Sequence, residues 1–234
     1  MSLAVPTGVG VLLSGGIDSS ILAAHLLTIG ERVQPFYIRS GLYWQTEELL
    51  AITKFLRAIA SPRLHELVVL DLPLADLYQE HWSVSGIGVP DAHSPDAAVF
   101  LPGRNALLLV KAALWCQMHA IPQLALATLG TSPFHDAHDN FFRDFQAALN
   151  CGDLPPLEIS RPFTGQTKRQ VMELGHHAPL QYTFSCVAPR DSLHCGVCNK
   201  CAERRSAFAS IARPDPTRYC SEHSREKPSR TEFR

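Results

Sequence analysis

Two groups of residues in this chain have the types and spacing to do chemistry. The first is Ser14-Gly15-Gly16-Ile17-Asp18-Ser19. It follows a short apolar run, Val9 to Leu13, and leads into an apolar-periodic segment from Ile21 to Ile29. Strand, glycine-rich turn and helix is the natural reading. Small residues let backbone N–H groups converge, and a helix N-terminus adds partial positive charge, so the turn suits phosphate. No Lys-Ser or Lys-Thr closes it, which excludes the loop that hands on a terminal phosphate. Gly8 and Gly10 precede the strand or open it, which excludes the dinucleotide fingerprint. The second group is Cys186, Cys195, Cys198 and Cys201, spaced C-x8-C-x2-C-x2-C. Thiolates two residues apart reach one tetrahedral ion from a tight turn, and Gly196 relieves that turn. Four sulfurs saturate zinc, so this is a structural site that staples the C-terminal segment. An iron–sulfur cluster is the competing metal reading.

These groups need elements to hold them. Strands are expected at Val9–Leu13, Val33–Ile38, Leu67–Leu70, Leu124–Thr128 and Leu157–Ile159. Helices are expected from Thr46 to Ile59, Ala106 to His119, Asn140 to Leu149 and Lys200 to Ile211. Leu49, Ile52, Leu56 and Ile59 make one apolar face of the first of these. Thr167 opens another helix, with Gln170 three residues on as a capping box. Strands alternating with helices mean a parallel sheet covered on both faces. Ligands of such sheets sit beyond the carboxyl ends of the strands, where Ser14, Ile38 to Gly41, and Leu70 to Asp71 all fall. Asp71 to Phe100 contains Gly86, Gly88, Pro90 and Pro95 and reads as a long lid or binding loop.

The chain has 234 residues, 46% hydrophobic and 18% charged, enough for one full core with a small appendage. A net charge of -1 supplies no basic field for nucleic acid. No basic leader precedes an apolar stretch, and no apolar run approaches membrane-spanning length. A soluble, cytoplasmic protein is therefore expected. Seven cysteines, three of them tightly spaced, then favour metal or catalysis over disulfides. Cys116, in an apolar helix, reads as a core residue.

Ser14-Gly15-Gly16-Ile17-Asp18-Ser19 resembles the pyrophosphate-binding loop of the PP-loop ATP pyrophosphatases. That family cleaves ATP to AMP and pyrophosphate while adenylating a substrate, which implies ATP and Mg²⁺. Leu101-Pro102-Gly103-Arg104-Asn105 and Cys195-Gly196-Val197-Cys198-Asn199-Lys200-Cys201-Ala202-Glu203-Arg204 resemble the 7-cyano-7-deazaguanine synthase group. So does Pro162 to Arg169, with Thr167-Lys168. The resemblance covers Val9 to about Phe208. It implies an adenine nucleotide alpha hydrolase-like, Rossmann-like α/β fold and a homodimer. It also implies adenylation of 7-carboxy-7-deazaguanine, ammonia displacing AMP, and a second ATP driving the amide to the nitrile.

On this basis Ser14, Gly15, Gly16, Ile17 and Ser19 form the pyrophosphate cradle. Asp18 orients the loop, caps the helix or holds Mg²⁺ through water. Arg104 neutralises phosphate, Asn105 fixes substrate or loop, and Lys168 is a phosphate-binding cation by resemblance. The family has Tyr-Pro-Asp-Cys-Arg after the fourth strand, where this chain has Phe134-His135-Asp136-Ala137-His138. After the second strand it has Tyr-Gly-Gln-x-His, where this chain has Ser40-Gly41-Leu42-Tyr43-Trp44-Gln45, with Glu47 matching a later acid. Both departures fall on the substrate side. Asp136 matches the family's acid, and Tyr43, Trp44 and Phe134 are candidates to stack on a planar base. The stretch His135 to Asp139 could ligate metal or simply cap a helix, and His138 could take a proton from ammonia.

The expected division is an ATP-binding α/β domain over 1–180, a zinc-binding segment over 181–212, and a disordered polar tail over 213–234. Two other functions compete: a PP-loop sulfur transferase acting on tRNA, and a non-catalytic ATP-binding regulator. The first would want a catalytic cysteine pair or an RNA-binding extension. The second sits poorly with the intact Ser14 to Ser19 loop.

Overall fold

The computed structural model describes residues 8–220. Five strands form one parallel sheet: β1 (Val9–Leu12), β2 (Val33–Arg39), β3 (Val68–Asp71), β4 (Gln123–Ala125) and β5 (Glu158–Ser160). Their spatial order is β3-β2-β1-β4-β5, and all four pairings are parallel. The order reverses between β1 and β4, so the ligand crevice of a doubly wound sheet must open beyond those two strand ends.

The helices are α1 (Ile17–Thr28), α2 (Gln45–Ala58), α3 (Ala75–Tyr78), α4 (Trp82–Ser85), α5 (Arg104–Met118), α6 (Asp139–Leu149), α7 (Lys168–Leu174) and α8 (Asn199–Ser210). Side chains alternate across a strand, so Val9, Val11 and Leu13 face one layer and Leu12 the other. The first layer packs α1, α2, α7 and α8 through Ile21, Leu22, Phe55, Met172 and Phe208. The second packs α5 and α6 through Leu109, Cys116 and Phe142, which makes Cys116 a core residue as expected. Gly10 of β1 is needed for that approach, because a Cβ there would sit 2.8 Å from Cys116 Sγ and 2.9 Å from the Phe36 ring. A third cluster joins Trp44, Leu74, Tyr78 and Leu101 to the four cysteines.

Several boundaries differ from the expected ones, for local reasons. Helix α1 begins four residues early, at Ile17, with Gly16 as N-cap and no side-chain cap bond, so Asp18 is inside the first turn and is not the cap. Helix α5 begins at Arg104, which places Arg104 and Asn105 in its first turn. The stretch read as a lid loop contains α3, α4 and a 3₁₀ turn at Asp96–Val99. The capping box at the start of α7 is present as expected, with Thr167 and Gln170 bonded reciprocally. Residues 213–220, assigned by composition to a disordered tail, pack back onto the cysteine segment. Tyr219 is buried, Thr217 accepts from Arg204, and the Cys220 N–H bonds His194 O at 2.8 Å. The rest of the expected tail, 221–234, lies outside the described residues. Among the described residues no helix is long and apolar enough to cross a membrane.

Candidate functional site

A cleft of about 360 Å³ opens beyond the carboxyl ends of β1 and β4, a volume suited to a small ligand. Ser14, Gly16, Ile17, Asp18 and Ser19 line it, while Gly15 stands behind them. Gly15 adopts φ +76°, the left-handed region, and a Cβ there would meet Glu48 O at 3.2 Å. That backbone turn lets the chain leave β1 and enter α1 within four residues. The Ser14 N–H donates to Ser19 Oγ at 3.2 Å, and the two hydroxyls lie 3.2 Å apart. The first N–H groups of α1 have no partner within the helix, so the loop presents donors to an anion.

Lys168 closes this end. Its Nζ lies 2.8 and 2.7 Å from the two Asp18 carboxylate oxygens and 3.4 Å from Glu203. Burial opposes the Lys168 charge, but Asp18 and Glu203 outweigh it and hold the ammonium above its ordinary value. Lys200 bonds Glu203 at 2.6 Å, and burial of that carboxyl is overcome by the two lysines, which hold it below its ordinary value. Asp18 thus serves as the partner of Lys168, tying α1 to α7.

Arg104 and Asn105 line the cleft from the first turn of α5. Asn105 Nδ2 donates to Asp136 O at 2.8 Å, and the Asn105 N–H donates to Asp136 Oδ2 at 3.2 Å. The expected substrate acid Asp136 therefore satisfies the N-terminus of α5, a helix remote from it in sequence, while still lining the cleft. Phe134 lines the same wall beside Phe100, with ring centroids 5.4 Å apart. Trp44 is buried and stacks on Trp82 at 5.8 Å and 19°.

Two expected residues, Tyr43 and His138, fall elsewhere. Tyr43 is half exposed and packs on Gly86, outside the cleft. The reason is helical phase: Trp44 points inward at the start of α2, so its neighbour points out. His138 is exposed at the start of α6, against His135 at 5.4 Å, and does not line the cleft. The turn at His135–Ala137 buries Ala137 instead. The His135 to Asp139 stretch forms no ligand cluster among the described residues, and Asp139 is taken by Arg161.

Sequence reasoning missed Glu48. Glu47 was the acid singled out, yet Glu48 is the one that lines the cleft. It is only 7% exposed. Tyr37 O–H donates to Glu48 Oε2 at 2.7 Å, and Trp44 Nε1–H donates to Oε1 at 2.9 Å. Burial pushes the carboxyl up to about 7, against the opposing pull of Arg104, Tyr37 and Trp44. A signal existed: Trp44, Glu48, Ile52 and Phe55 share one buried stripe of α2, and a lone glutamate in such a stripe is a flag.

The four cysteines come together as expected. All four are buried, and their sulfurs lie within 4.8 Å of one another. Cys186 and Cys198 Sγ are 3.9 Å apart, as are Cys195 and Cys201, too far for disulfides. A tetrahedron with metal–sulfur bonds of about 2.3 Å has edges of about 3.8 Å, so the donor set fits one ion. An iron–sulfur cube would hold its sulfurs further apart. The N–H groups of Ala188 and Cys195 point at Cys186 Sγ at 3.3 and 3.2 Å, and those of Val197 and Cys198 at Cys195 Sγ at 3.4 and 3.3 Å. Such bonds favour the thiolate forms that ligate metal. Among the described residues no cysteine lines the cleft.

The cysteine segment bonds the loop at one point and the stretch after α4 at two others, outside the cleft. The Phe184 N–H donates to Gly15 O at 2.7 Å. The Ala92 N–H donates to Val197 O at 2.9 Å, and the Asn199 N–H to Pro90 O at 3.0 Å. Arg204, fully buried in α8, gathers Thr183 Oγ1 at 2.8 Å and Leu180 O at 3.1 Å.

Comparison with known proteins adds family context. The profile of the family described as "Queuosine biosynthesis protein QueC" matches residues 9–212. A "7-cyano-7-deazaguanine synthase 1" from Desulfitobacterium hafniense is 30% identical over 202 residues, covering 85% of this chain and 90% of the relative. A "7-cyano-7-deazaguanine synthase" from Methanosphaerula palustris is 28% identical over 218 residues, covering 89% and 97%. Among solved structures, a predicted subunit of tRNA methyltransferase from Methanocaldococcus jannaschii overlaps at a TM-score of 0.47 and 18% identity, covering 73% of this chain and 74% of that one.

Proposed function

This chain belongs to the Queuosine biosynthesis protein QueC family, and from that premise we propose that it is an ATP-dependent carbon–nitrogen ligase. In this reading it makes 7-cyano-7-deazaguanine from 7-carboxy-7-deazaguanine and ammonia. The observation that carries it is the joining, in one cleft, of the Ser14 to Ser19 loop with a buried aromatic wall around Trp44.

A carboxylate is a poor electrophile, and adenylation supplies a leaving group. The substrate carboxylate attacks the α-phosphorus of ATP, and pyrophosphate leaves. Ammonia then displaces AMP to give the amide. A second ATP adenylates the amide oxygen, and loss of AMP and a proton leaves the nitrile. The protein's share is alignment and charge stabilisation. The loop N–H groups and the Ser14 and Ser19 hydroxyls receive the departing pyrophosphate. Lys168 supplies positive charge beside them, and Arg104 meets the α-phosphate side from α5. Trp44, Trp82 and Phe134 take the faces of the planar base, and Asn105 with Asp136 holds that wall in place.

A Mg²⁺ ion entering with ATP is held mainly by phosphate oxygens and water. Asp18 would be the loop carboxylate to hold it, once phosphate competes for Lys168. The cysteine set suits zinc, which when bound supplies a structural crosslink with no open position. The homodimer, the cytoplasmic setting and a division of the chain near residue 180 belong to the same proposal.

The test is release of AMP and pyrophosphate on addition of 7-carboxy-7-deazaguanine with ammonium and Mg²⁺, with mass spectrometry of the product. Stimulated release and a nitrile product are expected. No stimulation by that or related deazapurine carboxylates would sink the reading.

A further inference from the structure

We propose that Glu48 is the group that takes the proton from the incoming nitrogen in the amide-forming step. This rests on the ligase reading above and assigns to Glu48 a role that the sequence offered to His138 on its side-chain chemistry.

Among the described residues four carboxylates line the cleft: Asp18, Glu48, Asp136 and Glu203. Asp18 and Glu203 are paired with lysines, and Asp136 accepts from the N-terminus of α5. Glu48 has neither a lysine partner nor a helix end to satisfy. No histidine lines the cleft among the described residues, so Glu48 is left as the base.

Its position suits the task. The Glu48 backbone abuts Gly15, so the carboxyl is next to the loop that would hold the adenylate. Tyr37 on β2 and Trp44, the N-cap of α2, each fix one oxygen, which locks the rotamer from two sides. A carboxylate has about four acceptor positions, and these donors use two, so capacity remains for an N–H. Arg104 acts on Glu48 through its charge from α5. An acyl adenylate bound between them would have its anionic oxygens toward Arg104 and its carbonyl carbon open toward Glu48.

The step balances. The ammonia lone pair forms the C–N bond, and the carbonyl π pair moves to oxygen. An N–H proton passes to a Glu48 oxygen. The carbonyl re-forms as the C–O bond to AMP breaks, and AMP leaves with that electron pair. Glu48 then returns its proton to solvent. A base works best when its pKa lies near the working pH, and burial brings Glu48 to about 7. The charged and titratable groups around it are Arg104 on α5 and Tyr37 on β2, with the Asp18–Lys168 pair further along the cleft.

The experiment compares two rates in the full-length protein and in Glu48→Gln. One is ATP–pyrophosphate exchange driven by 7-carboxy-7-deazaguanine, which reads adenylation alone. The other is amide formation at fixed free NH₃. In E48Q the ratio of amide formation to exchange is expected to fall by about 10²-fold or more. Wild-type amide formation at fixed free NH₃ should rise with pH through about 7, because only the carboxylate accepts a proton, and E48Q should lose that rise. Glu48→Asp, which keeps the charge, should recover part of the ratio, and thermal melting of both variants separates folding from chemistry. An unchanged ratio in a folded E48Q overturns the role while leaving the ligase intact. A wild-type protein without any exchange overturns the ligase reading itself, and this role with it.

Discussion

At the loop end of the cleft the walls are backbone N–H groups and paired charges, Lys168 with Asp18 and Lys200 with Glu203. At the other end they are the rings of Trp44, Trp82, Phe100 and Phe134 around one buried carboxyl. The loop end is built for a ligand whose charge is fixed and large, and its own groups neutralise one another while they wait. The aromatic end is built for a flat, weakly charged ligand and keeps Glu48 away from water. A polar wall tolerates solvent. An aromatic one depends on excluding it. The cysteine segment reaches both, by a hydrogen bond from Phe184 to Gly15 at the loop end and by packing in one apolar cluster with Trp44 and Trp82 at the aromatic end.

That contrast can be broken at its joint. Cys198→Ser should affect both ends at once: metal content falls, melting drops by roughly 10 °C, and AMP formation is lost. Elemental analysis and a melting curve check it, and a wild type without metal would remove the staple from the account. Lys168→Ala should act at the loop end alone. It leaves Asp18 without its partner, and AMP formation should fall about 10² to 10³-fold, read by chromatography of nucleotides. Trp82→Ala should act at the aromatic end alone. Loss of one stacked ring should raise KM for the carboxylate about tenfold while KM for ATP holds. A rise in both constants would mean the ends are one site, not two. His138→Ala should change neither constant by more than about twofold, because the ring is exposed at the start of α6. A large loss would bring that turn back into the cleft.

How far the site was legible depended on the range of the contact involved. The Ser14 to Ser19 loop, the cysteine spacing and the Thr167–Gln170 capping box are local patterns. Their geometry follows from residues within a turn or two of one another, and each is found where its sequence places it. The alternation of strand and helix likewise foretold a parallel sheet. The less legible part lay in segments whose direction depends on helix phase. Leu49, Ile52, Leu56 and Ile59 suggested one face for α2, and all four do pack on the core, but the most buried stripe also takes in Trp44, Glu48 and Phe55 beside Ile52. A rotation of one residue exchanged Glu47 for Glu48 and turned Tyr43 out of the cleft.

The sequence by itself determined the chemistry available to this protein: a turn of small residues that binds phosphate, four thiolates at metal spacing, and a sheet that opens a crevice beyond its strand ends. These need only short-range sterics and periodicity. The tertiary structure alone decided which groups meet. Lys168 reaches Asp18 across 150 positions, Asp136 serves a helix that begins before it in the chain, and Glu48 is held between Tyr37 and Trp44. Such pairings depend on how layers pack, and packing distributes its energy over the whole core, so no local pattern records it.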